Sequence, residues 1–236
     1  MSRTPAAPLV LLPGMMCDAR LFAPQLAALN DLAAMSVGDL TGADTVETLA
    51  AQVLAAAPER FALLGLSMGG IVALSVVAAA PERVTRLALL DTNHRAETPE
   101  RRAARGEQIR RARDGFLREM VVEEMKPNYL GAGHADDPAL LDLCLRMALD
   151  LGPGVFVRQS LALRDRPDRT DALRAYPGPT LVLCGAEDKL CPPERHREMA
   201  ALARNAELVV VPGSGHLSTL EEPAAVNAAL RRWLSG

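Results

Sequence analysis

Six short apolar runs, each closed by glycine, proline or a small polar residue, punctuate the chain: PLVLLPG, AAMSVGD, FALLGLS, RLALLDT, PTLVLCG and ELVVVPG. Their apolar residues are contiguous rather than alternating, which predicts strands of a parallel sheet buried on both faces. Between them lie alanine-rich segments of helical composition, TVETLAAQVLAAAP, MGGIVALSVVAAAP and PPERHREMAALARN. Strand, helix, strand is therefore the repeating unit, and the expected fold is α/β: a doubly wound, mostly parallel sheet of about six strands with helices on both sides. Near the end, PAAVNAALRRWL opens on Pro223 and sets Val226, Leu230 and Trp233 on one helical face that should pack on the sheet. The hexapeptide AAAPER occurs at 55–60 and again at 78–83. Its flanks do not repeat, so it reads as a shared helix-stop device, since proline cannot continue a helix.

Residues 95–170 break this rhythm. RAETPERRAARGEQIRRARDGFLREMVVEEMKPNYL and DDPALLDLCLRMALDLGPGVFVRQSLALRDRPD are helical in composition and hold no central strand, with LGAGHADDP and LGPG as breaks. The expected division is a core of residues 1–94 and 171–236 and a helical cap insertion of residues 95–170. An insertion after a strand falls at the carboxyl end of the sheet, where open α/β sheets bind ligands, so it is placed to act as a lid.

Composition removes several function classes. The 236 residues suit one domain with an insertion, and 49% hydrophobic with 23% charged residues is ordinary for a globular enzyme. A net charge of -3 leaves no basic footprint for nucleic acid or an anionic membrane. No run approaches the roughly 20 apolar residues of a membrane span, and MSRTPAAPLVLLPGMM lacks a signal-peptide core, so a cytoplasmic location is expected. Cys17, Cys144, Cys184 and Cys191 are scattered without a CxxC pair, as suits reduced thiols. His94, His134, His196 and His216 form no HExxH, so no metal is expected.

The stretch GLSMGG at 65–70 couples the third apolar run directly to a helix. So sharp a strand-to-helix turn strains the apex residue and crowds positions two before and two after it, which Gly65 and Gly69 relieve. The hydroxyl of Ser67 would stand above the sheet edge at the amino end of a helix starting at Met68, where amides favour developing negative charge. A serine needs a base, and His216 in VVVPGSGHLS follows the last strand. Asp188 in LVLCGAEDKLCPP follows the preceding strand and can orient that histidine. The order Ser67, Asp188, His216 is that of nucleophile-elbow enzymes. A second oxyanion amide is expected from Met15 in PLVLLPGMMCD, facing that of Met68 across the substrate oxygen.

With LLPGMM, GLSMGG, GAEDKLCPP and GSGH in this order, the sequence resembles the α/β-hydrolase superfamily over nearly its whole length. The insertion matches the family's variable cap. Two departures stand out: Pro13-Gly14 replaces the His-Gly of many members, and the first two strands usual in the family are missing. The resemblance implies a triad of Ser67, Asp188 and His216 with no cofactor.

Competing readings attach to several residues. Glu187 adjoins Asp188, and Asp91 ends RLALLDT, where some family members place their acid. His94, His134 and His196 read as loop or surface residues, with His94 nearest the cap. Met15, Met16 and Met68 either fill gaps in the core or line an apolar pocket, and Met16 is taken as substrate-binding. Cys17 reads as a buried inert thiol. The arginine-rich stretch RRAARGEQIRRARDG is a solvated face or else recognises an anionic group, a carboxylate or the phosphate of a thioester carrier. The favoured function is hydrolysis of a small, largely apolar carboxylic ester, thioester or lactone by a monomer or homodimer. The alternatives are a carbon-carbon bond hydrolase, a lyase or a perhydrolase on the same fold, or a non-catalytic binding module.

Overall fold

In the computed structural model, residues 7–236 are described; residues 1–6, part of the expected core, lie outside them. The chain builds β1 (Leu9–Leu12), α1 (Ala23–Ala28), β2 (Met35–Val37), α2 (Val46–Ala56), β3 (Phe61–Leu66), α3 (Met68–Ala79) and β4 (Val84–Leu90). After β4 come α4 (Pro99–Arg113), α5 (Leu117–Met120), α6 (Pro138–Arg164) and α7 (Thr170–Ala175). The chain then closes with β5 (Thr180–Gly185), α8 (Pro193–Leu202), β6 (Ala206–Val211), α9 (Ser218–Glu221) and α10 (Pro223–Ser235). The six strands are all parallel and ordered β2-β1-β3-β4-β5-β6.

Alternation along each central strand assigns side chains to the two faces. Val10, Leu12, Leu63, Leu87, Leu89 and Val182 point to one, where α2, α3, α7 and α8 cover them through Leu49, Val72, Leu173 and Met199. Leu9, Leu11, Leu64, Leu90, Leu181 and Leu183 point to the other, against α1, α10 and the turn before α1. On α10 the expected face is the buried one, with Val226 and Leu230 at 0% exposure and Trp233 at 5%. Full burial of an aliphatic side chain of this size stabilises the fold by roughly 1.5–3 kcal/mol. The expectation of two buried faces holds for β1, β3 and β5, yet β2 and β6 are partly exposed because they are the edges of the sheet. Helix starts are set by side-chain caps, with Thr45, Thr98 and Asp137 accepting amides of α2, α4 and α6 and prolines opening the latter two.

The repeated hexapeptide has a structural use. Each copy ends a helix, and Arg83 of the second copy donates to the carbonyls of Leu54, Ala57, Pro58 and Glu59 at the end of α2. The helices between β4 and β5 form a third apolar cluster with Met16, Ala112, Leu117, Met120, Val121 and Phe156. LGPG does interrupt α6: Gly152 has φ 78° and Pro153 follows it. No helix among the described residues is long and apolar enough to cross a membrane.

Candidate active site

The connections from β1 and β3 leave in opposite directions, because β2 lies beyond β1 while β4 lies beyond β3. A crevice opens at such a switch point, above the carboxyl ends of the strands. The loops after β1 and β3 flank it, and a Cβ on Gly14 would lie 3.5 Å from that of Ser67.

Ser67 is the turn between β3 and α3, at φ 53° and ψ -117°. A non-glycine residue is costly there, by about 1–3 kcal/mol, and the surroundings hold it in place. The bracketing glycines are required by contact: a Cβ on Gly65 would lie 2.3 Å from Gly69 O, and one on Gly69 would lie 1.9 Å from Leu12 O. Gly69→Ala is therefore expected to destabilise the protein by at least about 3 kcal/mol, visible as a lowered urea midpoint.

Ser67 Oγ lies 2.9 Å from His216 Nε2, and His216 Nδ1 lies 2.8 Å from Asp188 Oδ2. The carboxylate fixes the ring proton on Nδ1 and leaves Nε2 to accept the serine hydroxyl. Asp188 Oδ1 accepts the amides of Leu190 at 2.8 Å and Cys191 at 2.9 Å. Burial alone would raise the Asp188 pKa, but the His216 charge and these hydrogen bonds outweigh it and hold it low. Burial alone would lower that of His216, but the Asp188 charge and hydrogen bond raise it above the ordinary 6.5.

The other acids do not reach the ring. Asp91, at φ 46°, accepts Gly185 N at 2.9 Å and bonds Ser218 Oγ. Burial, reinforced by the Asp188 charge, pushes its pKa well up and favours its neutral form. Glu187 accepts Ala132 N at 2.6 Å. Asp188, Cys191 and His216 bring possible metal donors within 4.8 Å of one another. Both ring nitrogens are already engaged, and burial keeps the Cys191 thiol protonated, so the trio is poorly suited to a cation.

Met15 and Met68 line a cavity of about 330 Å³ together with Ser67 and His216. Among the described residues neither of their amides finds an acceptor, whereas the next amide, Met16 N, donates to Gln159 Oε1 at 2.8 Å. Met16 has φ 57°, is 2% exposed and packs into the helical cluster above. It is not among the residues lining this cavity, and its amide bond to Gln159 anchors the loop. Cys17 is buried as expected, and burial raises its pKa far beyond the ordinary thiol range.

His94 lies in the loop after β4, as expected, though it is buried there, whereas His196 departs from the expectation, sitting in α8 with 0% exposure. His196 Nε2 accepts Thr92 N at 3.0 Å, and burial lowers its pKa to about 4, so it is a neutral support for the chain leaving β4. Thr92 in turn donates its hydroxyl to Ser67 O at 2.6 Å.

Three supports have no motif of their own in the sequence. Gln159 on α6 accepts Met16 N and donates to Leu40 O at 3.1 Å. Tyr129 accepts His216 N at 2.7 Å and stacks its ring on the imidazole at 6.4 Å between centroids. Glu221 accepts the amides of Gly131, Gly215 and Leu217, clamping the histidine loop.

With this geometry, the comparisons with known proteins are consistent. The chain belongs to the Alpha/beta hydrolase family, whose profile matches residues 9–229, and the protein is a hydrolase. It is 30% identical to a pimeloyl-[acyl-carrier protein] methyl ester esterase of Xanthomonas oryzae pv. oryzae, over 96% of this chain and 94% of that one. A malate-bound thermophilic esterase from Thermogutta terrifontis superposes with a TM-score of 0.90 at 30% identity, covering 97% of this chain and 89% of that one. The enol-lactonase of Burkholderia xenovorans LB400, at 24% identity and a TM-score of 0.88 over 100% and 94% of the two chains, shares the fold. Other curated relatives are matched over only about a quarter to a third of their own length. One is a proline iminopeptidase of Levilactobacillus brevis, 41% identical over 31% of this chain and 24% of that one.

Proposed function

We propose that the protein hydrolyses a small carboxylic ester, thioester or lactone through an acyl-enzyme on Ser67. The observation that carries this reading is the continuous hydrogen-bonded line from Ser67 Oγ through both nitrogens of His216 to Asp188 at the floor of the cavity. Ser67 Oγ attacks the carbonyl carbon while its proton passes to His216 Nε2. The carbonyl oxygen gains charge, which the Met15 and Met68 amides, supplied by the two loops flanking the switch point, stabilise. Collapse of the adduct breaks the bond to the leaving group, which takes the proton from His216. Water, deprotonated by the same nitrogen, then releases the acid and restores the serine. The chemistry needs no group beyond these residues and water. Residues 95–170 act as a cap that walls the cavity, through Phe156 and Tyr129 among others. The esterase names of the full-length relatives support the ester class.

His216 must be neutral to accept the proton, and its pKa is raised. As pH falls through that raised value the base is lost, so the acid limb of kcat/KM should have its midpoint above 6.5. Asp188→Asn should move the midpoint downward by removing the charge that raises it. Both are read from initial rates with p-nitrophenyl butyrate across pH 5–9; an acid limb below 6.5 in the wild type would count against His216 as the base.

A further inference from the structure

One wall of the cavity is cationic where an apolar wall would be the ordinary choice. Arg101, Ala104, Arg105 and Gln108 line it, and their spacing places them on one face of α4. Arg166 also lines it, but its guanidinium is fully engaged, by both oxygens of Glu97 and by the carbonyls of Arg95 and Leu163.

Arg105 is different. Its Nε donates to Glu97 Oε2 at 3.0 Å, while among the described residues the one hydrogen-bond contact of its outer nitrogens is Nη1 to the thioether sulfur of Met15 at 3.8 Å. Thioether sulfur is a weak acceptor, so the outer edge of this guanidinium fork lacks a strong partner. It lies against Met15, whose amide is assigned above to the oxyanion. Arg101 is one turn away on the same face, and its charge also acts on Glu97. Elsewhere on α4, Arg102 pairs with Asp165, Arg110 with Glu107 and Asp114, and Arg111 with Glu124. On the cavity side, Arg105 shares the single carboxylate of Glu97 with Arg166.

The charge balance of the wall agrees. Three arginines line it against Glu97 and Glu124, and Glu124 is already paired with Arg111. An excess positive charge beside a partly desolvated pocket is stabilised when a bound ligand supplies the counter-charge, and an arginine fork matches a planar carboxylate.

We infer that Arg105 and Arg101 form a carboxylate-binding subsite, so the substrate is an ester or lactone that carries a free carboxylate remote from the scissile bond. This inference rests on the ester-hydrolase reading above. It takes up the carboxylate alternative that the arginine-rich stretch offers in the sequence.

The test compares monomethyl esters of C4 to C7 dicarboxylic acids with the dimethyl esters of the same acids. In the wild type, the monoester should exceed its diester in kcat/KM by at least about tenfold at one chain length, as expected for a charged hydrogen bond. Arg105→Gln and Arg101→Gln should each cut that ratio several-fold, chiefly through KM of the monoester, and Arg105→Lys should keep part of it. Arg110→Gln, on the outer face, should keep the ratio whole. Because Arg101 is exposed, its variant reads out the subsite even if Arg105→Gln does not fold. Ser67-dependent turnover with no monoester preference at any length would overturn the subsite and leave the hydrolase reading standing. Absence of Ser67-dependent turnover of both esters would overturn the two together.

Discussion

Ser67→Ala should lower the turnover of any ester substrate by roughly 10⁴- to 10⁶-fold, because it removes the atom that forms the acyl bond. The fold should not change with it. The Ser67 side chain does not cap α3, and among the described residues its hydroxyl bonds only His216, so the alanine variant loses chemistry without losing a structural hydrogen bond. Its urea midpoint should stay within experimental error of the wild type, in contrast to Gly69→Ala two residues away. A wild-type rate in the folded alanine variant would remove the acyl-serine mechanism.

Asp188→Asn carries the second large effect, a loss of roughly 10⁴-fold in kcat with modest change in KM. The asparagine cannot present two acceptor oxygens while also receiving the Leu190 and Cys191 amides, so His216 loses the partner that fixes its tautomer and supports its positive charge. Asp91→Asn should cost less than about tenfold. Asp91 bonds Gly185 N and Ser218 rather than the imidazole, and its burial already favours an uncharged side chain, which asparagine reproduces. Glu187→Gln should cost still less, since Glu187 bonds an exposed loop amide. The three rates together separate the candidate acids: collapse in Asp91→Asn alone would transfer the role to that residue.

The parts of the site that were legible in the sequence are those dictated by local backbone geometry. Gly65 and Gly69 stand where a side chain would strike the neighbouring backbone, and Asp188 and His216 stand just past strand ends. Such constraints act over a few residues, so they leave a readable pattern. Gln159 and Tyr129 act across long separations, with Gln159 reaching 143 positions back to Met16, and Glu221 ties its own loop to Gly131, 90 positions away. His196 was misjudged for a related reason: PPERHREMAALARN has a polar composition, but its histidine faces the sheet and accepts an amide from the end of β4. Neighbouring residues in a tight loop can differ in surroundings without a sequence signal: Met15 lines the cavity, while the Met16 amide donates to Gln159. Strand exposure at β2 and β6 follows from sheet order, which composition does not encode.

The most direct measurement is covalent labelling by a serine-directed fluorophosphonate, followed by peptide mass analysis. The wild type should carry one phosphonyl group, on the peptide containing Ser67. Ser67→Ala should carry none, and His216→Ala should label more slowly by orders of magnitude, since the base that activates the hydroxyl is gone. A label on a different residue, or labelling of Ser67 that proceeds equally well without His216, would contradict the account.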